Sequence, residues 1–205
     1  MIQFQIPTNA FLTTTTNAFC HVPYTGMGSA ENPNYLNDLK NTYNSFSQHK
    51  LQSAVNELLN VLNEDLPQIY QLLGFDILTI CVVPRAKAEN SYKPNQQLFR
   101  KTVQKSIDKM HGIADGINYI RRHTNTYTTH LGERAPNYIN DGAEPYPGIT
   151  ERTCDISADA AGKNILLIDD IYTPGVNIDE DAINALLNAG AKTLAFYAVG
   201  KVQRN

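Results

Sequence analysis

Hydrophobic spacing changes character along this chain, and the changes mark out its elements. Ile2, Phe4 and Ile6 alternate with polar residues and predict an edge strand. Thr13 to Thr16 reads as an extended or loop segment, and residues 1–34 are otherwise rich in Thr, Asn, Pro and Gly. From Asn34 to about Leu73 the pattern is helical, with Leu51, Val55, Leu58, Leu59 and Leu62 on one stripe. Pro67 predicts the start of a second helix, with Ile69, Leu72 and Leu73 apolar and Gly74 as its stop. Phe75 to Val83 then reads as a buried strand ending at Pro84. A basic loop (Arg85, Lys87, Lys93), a helix from about Asn95 to Met110 and a strand at Ile117 to Ile120 follow. Residues 123–149 are polar, and a stretch that long inside a compact domain predicts a functional or mobile loop.

The C-terminal pattern is sharper. Asn164 to Ile168 is a continuous apolar strand ending in Asp169-Asp170, Ile171 to Asn177 a turn, and Ile178 to Asn188 a helix stopped by Gly190. Ile178, Ala182, Ala185, Leu186 and Ala189 form the apolar set of that helix, and Thr193 to Val199 is a further strand. Strand, helix and strand with short connections predict a parallel crossover, and continuous apolar strands predict a sheet buried on both faces. The fold class is α/β.

Composition narrows the function classes. Charged residues are only 18% of the chain, so its polarity comes mainly from Asn, Thr and Gln. The net charge of −3 argues against a broad basic face, and direct nucleic-acid binding is not expected. Cys20, Cys81 and Cys154 lie far apart, without the pairs of a zinc ribbon or a disulfide framework. Cys81 reads as core, Cys20-His21 as a pair without partners, and His111 as a capping or surface residue. The first basic side chain is Lys40, so no positive signal-peptide start is visible, and the apolar run at Ile77 to Val83 is too short to span a bilayer. A cytoplasmic protein without membrane contact is expected.

Candidate chemistry gathers at one strand end. In an open α/β sheet, ligands bind outside the carboxyl ends of the strands, where Asp169 and Asp170 are placed. The turn Thr173-Pro174-Gly175-Val176-Asn177 leads into a helix whose free N–H groups and dipole favour a phosphate. Asn177 either donates to that anion or caps the helix, with Glu180 closing a capping box. Two carboxylates beside a phosphate cradle suit ribose hydroxyls and Mg²⁺. The plain alternative is that the acid pair only ends a strand. Tyr172 either covers a ribose or packs, Arg121-Arg122 either contacts an anion or is a solvated strand end, and the Leu51 to Leu62 stripe is core or dimer surface.

Ile165-Leu166-Leu167-Ile168-Asp169-Asp170-Ile171-Tyr172-Thr173-Pro174-Gly175 resembles the phosphoribosyl pyrophosphate (PRPP) motif of type I phosphoribosyltransferases. Asn188 to Lys192 is similar to the helix end and strand start that follow it. Val83-Pro84-Arg85 with Asn95-Gln96, Ile120 to Thr124 with Thr126, and Ile149 to Arg152 resemble segments of the competence-protein-F-like (ComF-type) subgroup. The resemblance covers roughly residues 75–200. It implies a parallel-sheet phosphoribosyltransferase core at 74–205 and an N-terminal helical or irregular cap at 1–73. It implies a catalytic set of Asp169, Asp170 and Thr173, the two acids on the ribose hydroxyls directly or through Mg²⁺. It implies a 5′-phosphate loop of Thr173, Pro174, Gly175, Val176 and Asn177, and a pyrophosphate loop of Arg85, Ala86 and Lys87. Residues 123–149 would close over the site, with His130 and Arg134 contributing.

The implied activity is transfer of a phosphoribosyl group from PRPP to a nitrogen acceptor, with Mg²⁺. The alternative is a non-catalytic nucleotide- or PRPP-binding regulator or accessory protein in a DNA-related system. A homodimer and a protein partner for residues 1–73 are further expectations. Departures from the family pattern bear on the choice. Pro174 removes a hydroxyl and an N–H from the phosphate loop, Asn177 replaces a Thr or Ser, and Asp179, Glu180 and Asp181 put negative charge where an anion would sit. Thr173 stands where some relatives carry a general-base Asp, so base-assisted purine chemistry is not expected. No N-terminal Cys nucleophile is present, so glutamine-dependent amidophosphoribosyl transfer is not expected of this chain. A short tail after Val199 would leave acceptor recognition to residues 1–73.

Overall fold

Parallel apolar strands carry helices on both faces because neither face is polar enough to meet water, and this chain builds such a sandwich. The structure is a computed structural model that describes residues 1–25, 29, 32–108, 110–129, 131, 138–143 and 148–203. Its strands are β1 (Ile2–Ile6), β2 (Thr16–Tyr24), β3 (Leu78–Val82), β4 (Ile113–Asp115), β5 (Ile120–Arg122), β6 (Cys154–Ile156), β7 (Asn164–Tyr172) and β8 (Thr193–Val202). The helices are α1 (Asn34–Lys40), α2 (Gln48–Leu73), α3 (Leu98–Ile107) and α4 (Ile178–Asn188). Six strands form one sheet in the order β1-β2-β8-β7-β3-β4. All neighbours are parallel except β1, which runs antiparallel along the edge of β2. β5 and β6 form a separate antiparallel ribbon.

Alternation sorts the core into two layers. Ile80, Val82, Leu166, Ile168, Tyr197 and Val199 face α1, α2 and α3. Cys81, Ile165, Leu167, Phe196 and Ala198 face α4, the ribbon and the N-terminal loop at Leu12. β7 and β8 pair over most of their length with α4 between them in sequence, as the apolar pattern predicts.

Several expectations change in detail. Pro67 does not open a second helix: it lies inside α2. One lost main-chain hydrogen bond is outweighed because Leu58, Leu62, Leu66 and Ile69, all buried, form a continuous stripe through it. The break falls earlier, where Asn41 (φ 38°) ends α1 in the left-handed region and Ser47 caps α2 by accepting from Lys50 N–H. The strand expected at Phe75 starts at Leu78. Of the strand expected at 117–120, residues 117–119 are a turn after β4 and Ile120 opens β5. β7 continues through Tyr172, so the turn begins at Thr173.

Residues 1–73, set apart as a cap by sequence, supply two strands of the main sheet: β2 lies along β8 from Asn17↔Ala195 to Tyr24↔Val202. No helix among the described residues is long and apolar enough to cross a membrane. Cys20, Cys81 and Cys154 are buried free thiols.

Candidate functional site

The acid pair sits where the sheet opens. β3 accompanies β7 only as far as Val82↔Ile168, whereas β8 continues beside it to Tyr172↔Lys201. Asp169 and Asp170 are therefore half-buried residues at the carboxyl end of the strands on the β3 side. Their side chains find different partners. Asp169 faces Asp179 in the first turn of α4. Its Oδ1 also accepts from the main-chain N–H of Asp170 at 2.8 Å. Asp170 meets Lys40 at the end of α1, with Nζ 3.2 Å from Oδ2.

Burial and the Asp170 carboxylate push the Asp169 carboxyl up to about 7, although the Asp179 and main-chain hydrogen bonds oppose the shift. Asp179, only 5% exposed, is driven well above the usual carboxylate range by burial and by facing Asp169. The Lys40 ammonium stands against the Asp170 carboxylate.

The turn after β7 has the shape of an anion loop and an acidic lining. Gly175 (φ 80°) and Asn177 (φ 64°) both adopt left-handed backbone, which glycine and asparagine tolerate best. Val176 N–H donates to Thr173 O at 3.2 Å, closing the turn. Thr173 is half-buried at its start. The capping expectation for Asn177 is not met: its side chain makes no cap bond. Nδ2 donates instead to Gly175 O, and Oδ1 accepts from Asn9 in the N-terminal loop. Glu180 closes no capping box either. It is buried and accepts from the Tyr172 hydroxyl at 2.9 Å, while its Oε2 has no hydrogen-bond partner. Asp181 accepts from the N–H groups of Gly148 and Ile149. The start of α4 thus surrounds its own N-terminal N–H groups with acids.

Basic residues expected near the site are largely spent on structure. Lys87 is 6% exposed. Its ammonium donates to Thr126 O, Asn140 Oδ1 and Asp141 O and pairs with the Asp141 carboxylate at 3.1 Å. Arg85 donates to Gln96 O and stacks over the Tyr92 ring at 4.3 Å. Ala86 O accepts from both the N–H and the hydroxyl of Thr126. The loop after β3 is therefore stapled to the 123–143 segment. Arg122 is buried, donating to Arg85 O and Gly148 O, and Arg121 turns outward to Glu89. Tyr172 packs rather than covers: it stacks on Phe4 with centroids 5.5 Å apart and meets Phe196 edge-on. His130 and Arg134 lie outside the described residues.

Two features had no expectation attached. Lys40 reaches Asp170 across the fold, a contact with no local sequence signal. Asp65 on α2, wholly buried, accepts from Tyr197 OH at 2.7 Å and from His21 Nδ1 at 3.0 Å. Burial raises the Asp65 carboxyl, but those hydrogen bonds outweigh it and hold the group below its ordinary value. The signal was present: Asp65 interrupts the stripe Leu58, Leu62, Leu66, Ile69. Cys20-His21 therefore has a partner, through the histidine.

Of the two acids expected to serve Mg²⁺, Asp170 already carries the Lys40 ammonium against it, which does not suit a divalent ion there. Among the described residues no three His, Cys, Asp or Glu side chains gather about one point. No family model matches the chain, and no curated protein matches it.

Proposed function

We propose that this chain is a phosphoribosyltransferase-like protein of the type I kind. It would bind the ribose 5′-phosphate portion of PRPP or of a nucleotide at Asp169, Asp170 and the 173–177 turn. The observation that carries this reading is the juxtaposition of two carboxylates at the carboxyl end of β7 with a left-handed Gly175–Asn177 turn opening α4. Supporting it, β7 lies directly beside β3, whose following loop (85–87) is fastened at Thr126 to the segment that joins β5 to β6. Acceptor carboxylates suit the paired hydroxyls of a ribose, and turn N–H groups suit its phosphate.

In the transfer reaction a nitrogen lone pair forms the bond to the anomeric carbon, the bond from that carbon to pyrophosphate breaks, and pyrophosphate leaves with the electron pair. Asp169 and Asp170 would orient the ribose, and the turn would fix its far end.

A second reading, binding of PRPP or a nucleotide without transfer in a regulatory or accessory role, is favoured by the engagement of Lys87 and Arg85. A leaving pyrophosphate gains charge, and these cations already serve main-chain and side-chain acceptors. Calorimetric titration with PRPP, on the wild type and on an Asp169→Asn/Asp170→Asn variant, tests the site. Binding that disappears in the folded double variant supports it, and equal binding by both sinks it. Pyrophosphate release with a panel of nitrogenous bases then separates the two readings.

A further inference from the structure

The pairing of Asp170 with Lys40, which does not suit Mg²⁺ at that carboxylate, leads to one consequence for the ligand. We propose that Lys40 takes the place of a divalent cation at Asp170, so that the site accepts a phosphorylated ribose without Mg²⁺. The inference rests on the ribose-phosphate reading of the site and specifies its cation.

Lys40 is positioned rather than merely nearby. It ends α1, whose Leu36 and Leu39 are buried in the core. The next residue, Asn41, is itself buried and fixes the helix end. Its Oδ1 accepts from the N–H groups of Ser45 and Phe46, and its carbonyl accepts from Gln96 Nε2 in the loop after β3. The ammonium is thus held 3.2 Å from Asp170 Oδ2, with both side chains about one-fifth exposed (22% and 20%). A primary ammonium has three donors and the contact to Asp170 uses one, which leaves donors for a phosphate or diphosphate oxygen. A divalent ion at the same carboxylate would face a fixed positive charge and would have to displace it. Lys87 and Arg85, in the loop after β3, are already committed, and Lys201, paired with Tyr172 on β8, lies over the Phe4 ring. Lys40 is the cation in contact with the acid pair among the described residues.

The test is calorimetric titration of the full chain with ribose 5-phosphate and with PRPP, each in EDTA and in excess MgCl₂. The wild type should bind equally well in both media. Lys40→Met should bind about 10- to 100-fold more weakly in EDTA, the loss of one charge-assisted hydrogen bond, and Lys40→Arg should retain most of the affinity. Wild-type binding that requires Mg²⁺ overturns the inference and leaves the ribose-phosphate reading standing, and this arm needs no variant to fold. Undiminished binding by folded Lys40→Met overturns it equally. Wild type that binds neither ligand in either medium overturns the reading of the site and the inference with it.

Discussion

Replacing Lys87 with Met separates a structural lysine from a ligand-binding one. The substitution keeps the apolar stem and deletes the ammonium of a residue that is only 6% exposed, a group that serves three acceptors. Thr126 O is buried and loses its charged donor outright, whereas the acceptors on Asn140 and Asp141 are part-buried and regain water. The Asp141 side chain is 55% exposed, so its ion pair adds little. One full charge-assisted bond and two discounted ones come to about 3 kcal/mol. For a domain of this size that lowers the melting temperature by roughly 6–12 °C. Thermal denaturation followed by circular dichroism reads the global effect. Limited proteolysis reads the 123–143 segment, which should be cut faster once its anchor is gone. A melting temperature within about 2 °C of wild type, with unchanged cleavage, would refute the assignment of Lys87 as a pin.

Three further outcomes follow from other contacts. Gly116→Ala places a Cβ 2.5 Å from Thr79 Cγ2 and 3.0 Å from Cys81 Sγ, and should cost about 1–3 kcal/mol in urea denaturation, a neutral result contradicting the packing. Asp65 has a folded-state pKa below its unfolded value, so its stabilisation is full above the unfolded pKa and fades as pH falls through the folded one. Asp65→Asn should accordingly be most destabilising at neutral pH, with the difference from wild type shrinking below about pH 4, and a pH-independent difference would count against the ionised network. Asp169 has the opposite sign. Raised to about 7, it contributes stability below its unfolded pKa that is lost as pH rises through neutrality. Asp169→Asn should therefore gain on wild type in urea midpoint between pH 4.5 and pH 8 (about the span of that titration), and a constant offset would contradict a raised Asp169 carboxyl.

Much of the architecture was readable because strands buried on both faces leave continuous apolar runs: β3, β7 and β8 appear in sequence for that reason, and α4 through its stripe and Gly190. β2 was not readable. Its inward residues Ala18, Cys20 and Phe19 are interrupted by Asn17, His21 and Pro23, and nothing local shows that the segment lies along β8. Pro23 is tolerated because β1 covers β2 only as far as Ile2↔Cys20. β4, three residues at a sheet edge, buries too little to show a period. At the candidate site the acids and the glycine turn were legible as a linear motif. The fates of Lys87, Arg122 and Tyr172 were not, because each depends on a partner far away in sequence. A basic residue after a strand looks the same whether it awaits an anion or reaches a carbonyl on the next loop. The role of Pro67 was misread since a proline marks a helix start only when tertiary packing does not carry the helix through it.

The most direct test of the central claim is a crystal structure with ribose 5-phosphate bound. The account predicts the ribose hydroxyls within hydrogen-bond reach of Asp169 or Asp170 and the phosphate against the main chain of 173–177. A ligand seated elsewhere, or crystals that stay empty at saturating ligand with this end of the sheet open to solvent, would contradict it.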